Sequence, residues 1–246
     1  MKSDETKRDD MNRLKRTITI FAAAIVIAAA GASLALALQK QSPPKTGGVI
    51  WVRHPAKPFS VTATEISVAQ FRACVKAGAC KAATVNPICN YGTPGRDRHP
   101  VNCVTYFGAE QFCAFAGGRV CTEEEWLSAC RGQDGREFPY GNVFDLDACN
   151  VRSATQRVAG QASGTVPVAS KARCKGGLDG LFDMAGNVAE WVDHCKGSYC
   201  KFRGAGFISN DPVERFAACK GVCAGNDKSL KSAVVGIRCC KDVRPK

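Results

Sequence analysis

The chain has 246 residues, and 45% of them are apolar, enough for a core and too many for a wholly disordered protein. Its formal net charge is +12, but between Lys171 and Lys246 fourteen bases are interleaved with eight acids. That is a solvated basic surface rather than the dense stripe of a nucleic-acid binder, so DNA and RNA are not expected as partners.

The first sixteen residues form a short polar tail that carries Lys2, Lys7, Arg8, Arg13, Lys15 and Arg16. Residues 17–38 then run without a charge. As a helix rising about 1.5 Å per residue, this segment matches a hydrocarbon core of about 30 Å. The basic flank keeps the tail in the cytoplasm and sends the remainder across, predicting a single-pass membrane protein with its C-terminal domain in the periplasm or at the cell surface. Ala35-Leu36-Ala37 resembles a signal-peptidase site, which leaves cleavage as the alternative. We read an uncleaved signal anchor, because the run exceeds the length of a signal-peptide core. Residues 39–48, Gln-Lys-Gln-Ser-Pro-Pro-Lys-Thr-Gly-Gly, make a linker, and residues 49–246 the folded domain.

All fifteen cysteines lie at or after Cys74. They make up about 7% of the distal chain, far above cytosolic usage, and imply an oxidising compartment. No Cys-x-x-Cys occurs, so structural zinc is not expected. The odd count leaves at least one thiol free or paired with another chain.

Within the domain, residues 49–52 read as a buried strand and 59–64 as a second. Ser67 with Gln70 forms a capping-box pattern that opens a helix with Val68, Phe71 and Val75 on one face, ending at Ala77-Gly78. A second helix covers residues 106–116, where Ala109, Phe112, Cys113 and Ala116 recur one turn apart. A third starts at Thr122 with Glu125 as capping partner and stops at Arg131-Gly132. Its acids Glu123, Glu124 and Glu125 suit a helix N-terminus and need no acid–base role. From Gly132 to Gly186 the chain is irregular, implying long loops held by disulfides or calcium. Residues 233–241 read as one closing strand.

Four segments in order carry a family resemblance. They are Phe59-Ser-Val-Thr-Ala-Thr-Glu-Ile-Ser67; His99-Pro-Val-Asn-Cys-Val-Thr-Tyr106 with residues 109–132; Gly180-Leu-Phe-Asp-Met-Ala-Gly-Asn-Val-Ala-Glu-Trp191; and Arg203-Gly-Ala-Gly-Phe207 with Gly236-Ile-Arg-Cys239. Together they resemble the formylglycine-generating enzyme, or sulfatase-modifying factor, family over about residues 48–242. The resemblance implies an α+β, C-type-lectin-like domain with little regular structure, and disulfides Cys130–Cys219 and Cys113–Cys239. It also implies oxidation of a substrate cysteine to formylglycine at a copper ion held by two thiolates, since soft sulfur selects Cu(I).

Setting residues 203–207 on the family's Arg-Gly-Gly turn puts the two copper positions on Ser209 and Glu214, which supply no thiolate. Copper is therefore not expected, and the domain reads as a degenerate, non-oxidase member that binds a protein, peptide or glycan. The alternative is a formylglycine-generating oxidase with a rearranged pair, Cys219 and Cys223. The family's calcium loop falls on Gly186, Asn187, Val188 and Glu190, where calcium is expected. A second calcium site near Asn150 is expected to be lost, because residues 157–164 contain no acid. His54, His99 and His194 are the only histidines, and His99 before Pro100 lies in a structural segment of the family, so a three-histidine iron site is not expected; no Gly-x-Ser-x-Gly elbow supports a hydrolase.

Overall fold

The computed structural model describes residues 48–153, 164–221 and 224–243. The expected span 17–38 and most of the linker lie outside them, and among the described residues no helix is long and apolar enough to cross a membrane.

Three capped helices anchor the domain. Helix α1, Val68–Lys76, starts on a complete capping box: the Ser67 side chain accepts from the Gln70 N–H, and the Gln70 side chain accepts from the Ser67 N–H. Helix α2, Tyr106–Phe115, is capped by Thr105, and α3, Glu123–Arg131, opens on the second box, Thr122 with Glu125. Each cap satisfies N–H groups that a helix start leaves without partners, which is why short helices hold here. A one-turn helix, α4, spans Val213–Ala217.

The strands form two four-stranded sheets. In the first, β1 (Trp51–Arg53), β2 (Phe59–Thr62), β10 (Cys239–Asp242) and β3 (Arg119–Val120) lie in that order and are antiparallel throughout. In the second the order is β8 (Ala224–Asp227), β6 (Tyr199–Arg203), β5 (Ala189–Lys196) and β9 (Val235–Gly236), with β9 parallel to β5. A parallel pair, β4 (Arg152–Ser153) with β7 (Ile208–Ser209), stands apart.

The closing strand expected at residues 233–241 is thus two strands in different sheets. Period-two patterning continues through Val235, Ile237 and Cys239, but the Ile237 carbonyl accepts from the Ile66 N–H and breaks the run. β10 lies between two apolar clusters. Cys239 packs with α1 and α2, Cys240 with α3, Leu181 and Val192, because neighbouring strand residues point to opposite faces. A third cluster, around Phe138, Val151, Val213 and Ala217, gives the irregular stretch a core of its own.

Seven disulfides join fourteen cysteines: 74–80, 89–103, 113–239, 121–240, 130–219, 149–174 and 195–200. Both bridges implied by the family resemblance are among them. The fifteenth cysteine, Cys223, lies outside the described residues. The loop after α3 closes against Gly177, where a Cβ on either Gly132 or Gly177 would collide with the other's backbone, so the approach requires glycine at both.

Candidate functional site

The recognisable motif residues fold onto one another. Arg238 is fully buried; its Nε donates to Glu190 Oε1 at 2.8 Å, Nη1 to the Thr62 carbonyl at 2.7 Å and Nη2 to the Phe182 carbonyl at 2.8 Å. The Trp126 indole N–H donates to the other Glu190 oxygen. Asn187 sits at φ 60°, and its Nδ2 donates to Glu65 Oε2 at 2.7 Å while the Val188 N–H donates to Glu65 Oε1 at 2.8 Å. Asp183 accepts from the Ala169 N–H.

Of the three buried carboxyl groups only Glu190 pairs with the guanidinium, and Arg238 acts on Glu65 and Asp183 through space. Burial, and then the charges of Asp183 and Glu190, hold Glu65 well above the ordinary carboxyl range. Burial pushes Asp183 up to about 6 against the Ala169 N–H and Arg238. It also raises Glu190, with Arg238 in opposition.

Calcium at the expected Gly186, Asn187, Val188 and Glu190 would compete with hydrogen bonds that already engage both side-chain donors. Calcium takes six to eight oxygen donors. Both Glu190 oxygens already accept hydrogen bonds, one from a cationic guanidinium that would repel a second cation. Asn187 Oδ1 accepts from the Val166 N–H at 2.8 Å and Asn150 Nδ2 at 3.2 Å. Among the described residues no three His, Cys, Asp or Glu side chains converge as a metal site. These side chains bind the fold to itself, and the second calcium expectation, at 157–164, lies almost wholly outside the described residues.

The two positions that the family register assigns to copper line different clefts. Ser209, on β7, lines a 380 Å³ apolar cleft with Phe202, Gly204, Ile208, Phe216 and Val234. Glu214, on α4, lines a different cleft of 570 Å³ with Phe138, Phe144, Arg215 and Lys220. Cys219 is buried and bonded to Cys130, so the rearranged pair Cys219 and Cys223 lacks one thiolate.

A third cleft, of 620 Å³, was not foreseen from the residues alone; it lies between the β1–β2 turn and α3. It holds a serine–histidine contact, Ser128 Oγ to His54 Nε2 at 2.9 Å. His54 Nδ1 accepts the N–H groups of Ala56 and Lys57, both at 3.1 Å, so the proton resides on Nε2 and is donated to the serine. A histidine that donates to the hydroxyl takes no proton from it, so the pair is no nucleophile–base dyad. Burial, then the Lys57 charge, lowers the His54 pKa and keeps the ring neutral.

The other histidines lie elsewhere. His99 bonds to Thr165, and His194 pairs with Glu123. The α3 acids are engaged as the helix reading expects. Glu125 receives both Arg119 nitrogens at 2.7 Å as well as its capping bond, and Glu123 binds Lys201 and Arg203. Burial works against ionisation of Glu123 and Glu125, but these partners outweigh it and hold both carboxyls below their ordinary value.

A family model described as "Sulfatase-modifying factor enzyme 1-like domain" matches residues 12–243. The chain belongs to that family. Among its relatives, Serine/threonine-protein kinase Pkn1 of Chlamydia trachomatis is 31% identical over 169 residues, covering 61% of this chain and 25% of the kinase. Inactive C-alpha-formylglycine-generating enzyme 2 of Mus musculus is 32% identical over 158 residues, 60% of this chain and 51% of that protein. Formylglycine-generating enzyme of Thermomonospora curvata is 36% identical over 104 residues, 39% of this chain and 33% of the enzyme. This sulfatase-modifying-factor chain thus spans between a quarter and a half of these relatives.

Two solved structures share the fold. CarF matches with a TM-score of 0.60 at 20% identity, covering 76% of this chain and 87% of CarF. PvdO from Pseudomonas aeruginosa matches with a TM-score of 0.56 at 20% identity, covering 80% and 92%.

Proposed function

We propose that this chain is a membrane-anchored, extracytoplasmic sulfatase-modifying-factor protein that has lost copper oxidation and serves as a binding module. The observation that carries the proposal is the state of its sulfur. Fourteen of fifteen cysteines are bonded to one another, so one thiol remains and a two-thiolate Cu(I) site cannot be assembled without reducing a bridge. The positions that the family register assigns to copper, Ser209 and Glu214, line separate clefts, one of them apolar. The cysteine density supports an oxidising compartment, and the charge-free run at 17–38 after a basic tail supports the anchor.

The decisive experiment loads the full chain with Cu(I), adds a Cys-x-Pro-x-Arg peptide, and follows oxygen uptake and aldehyde formation. No turnover above free Cu(I) is expected. Catalytic aldehyde production would overturn the reading in favour of the oxidase. For the anchor, an N-terminal tag should remain on the mature protein in the membrane fraction; its loss would mean cleavage.

A further inference from the structure

The cleft beside His54 gathers three cations against one acid. Lys57 stands on the β1–β2 turn, Arg131 ends α3, and Lys220 follows Cys219, whose bond to Cys130 fixes it next to the end of that helix. Among the described residues none of the three is in an ion pair. Arg119, Arg152, Arg203 and Arg238, by contrast, each face an acid. The single acid in the cleft, Glu124, is exposed and leaves an excess of positive charge.

The geometry is preset for recognition. Arg131 Nη2 donates to the Gly135 carbonyl at 2.7 Å and Nε to the Arg136 carbonyl at 3.3 Å, which orient the guanidinium and leave three of its five N–H groups for a ligand. The uncharged part of the lining includes Leu127, Ala56 and the His54 ring, which is bonded to Ser128. A volume of 620 Å³ with apolar side chains and three cations in its lining suits a small organic body bearing an anionic group.

We infer that this cleft binds a small-molecule ligand that carries an oxyanion, received by Arg131, Lys57 and Lys220. The inference rests on the binding-module reading and supplies its ligand class. Oxygen uptake tests that reading separately, so either can fail alone.

The test titrates the full chain in detergent with glucose 6-phosphate, glucose 6-sulfate and glucuronate, with uncharged glucose as reference, by calorimetry. One-site binding of at least one anion, none of glucose, and weakening at higher salt are expected. Lys57→Ala/Lys220→Ala should weaken binding by about tenfold, whereas Lys76→Ala/Lys175→Ala, on exposed lysines elsewhere, should not. All four lysines are exposed, so folding is retained, and melting curves check it. Failure of all three anions to bind, or equal loss in both double variants, would overturn the inference. So would tighter binding of an Asp- and Glu-rich peptide, which would make the partner a protein.

Discussion

At the scale of single residues, the buried group of Glu65, Asp183, Glu190 and Arg238 gives the recognisable motif a structural role. Removing one member of a buried ion pair leaves an uncompensated charge, at about 3 to 5 kcal/mol. Arg238→Met should therefore destabilise by about that amount in non-reducing urea unfolding, with Glu190 left facing only Trp126.

The carboxyls also set a pH dependence. Asp183 titrates near 6 in the folded protein and near 3.9 when unfolded, so the folded state binds more protons in between. Its contribution is complete below about pH 4 and is lost as pH rises through about 6. Glu65, raised in the same sense, adds to it, while Glu190 and Arg238 face the same group. The melting temperature should rise as pH falls from 8 to 5, and Asp183→Asn should flatten that rise. A melting temperature that falls over the same interval would contradict the burial of these acids. Chelation should leave it unchanged, because Glu190 already accepts from Trp126 and Arg238, and Asn187 Oδ1 from the Val166 N–H.

At the scale of elements, the two boxed helices illustrate what a local pattern specifies. Ser67 with Gln70 and Thr122 with Glu125 lie three residues apart, so the chemistry that starts each helix is complete within one turn and can be read along the chain. Thr122→Ala should cost about 1 kcal/mol in equilibrium unfolding, since Oγ1 caps the Glu125 N–H. The end of the chain shows the opposite case. Alternation at Val235, Ile237 and Cys239 is real, yet a period of two does not say which strand each residue pairs with, and the partners change from β5 to β2 and β3. The cation-lined cleft was likewise invisible, because Lys57, Arg131 and Lys220 are dispersed along the chain and share no spacing rule. A bridge to Cys130 was implied by resemblance, and with hindsight it is the signal that brings Lys220 beside α3.

At the scale of the whole molecule, irregular backbone is stabilised by covalent and buried polar links more than by sheet ladders. The Cys130–Cys219 bond spans 89 residues, and the chain-entropy account assigns such a loop about 4 to 5 kcal/mol. Replacing both cysteines by alanine should lower stability by about 2 to 5 kcal/mol and loosen the 620 Å³ cleft, detectable as faster amide exchange around Ser128. Peptide mapping of the non-reduced chain should recover the seven links described above.

The adjacent Cys239 and Cys240 reach opposite sides of one strand, to Cys113 and to Cys121. Both of these clasps wait for residues more than a hundred positions downstream of their partners. The 74–80 and 89–103 bridges can close on their own, but oxidation before residues 239 and 240 are available must leave Cys113 and Cys121 unspent. Covalent closure therefore converges on one short strand, and loss of β10 would sever both clasps at once.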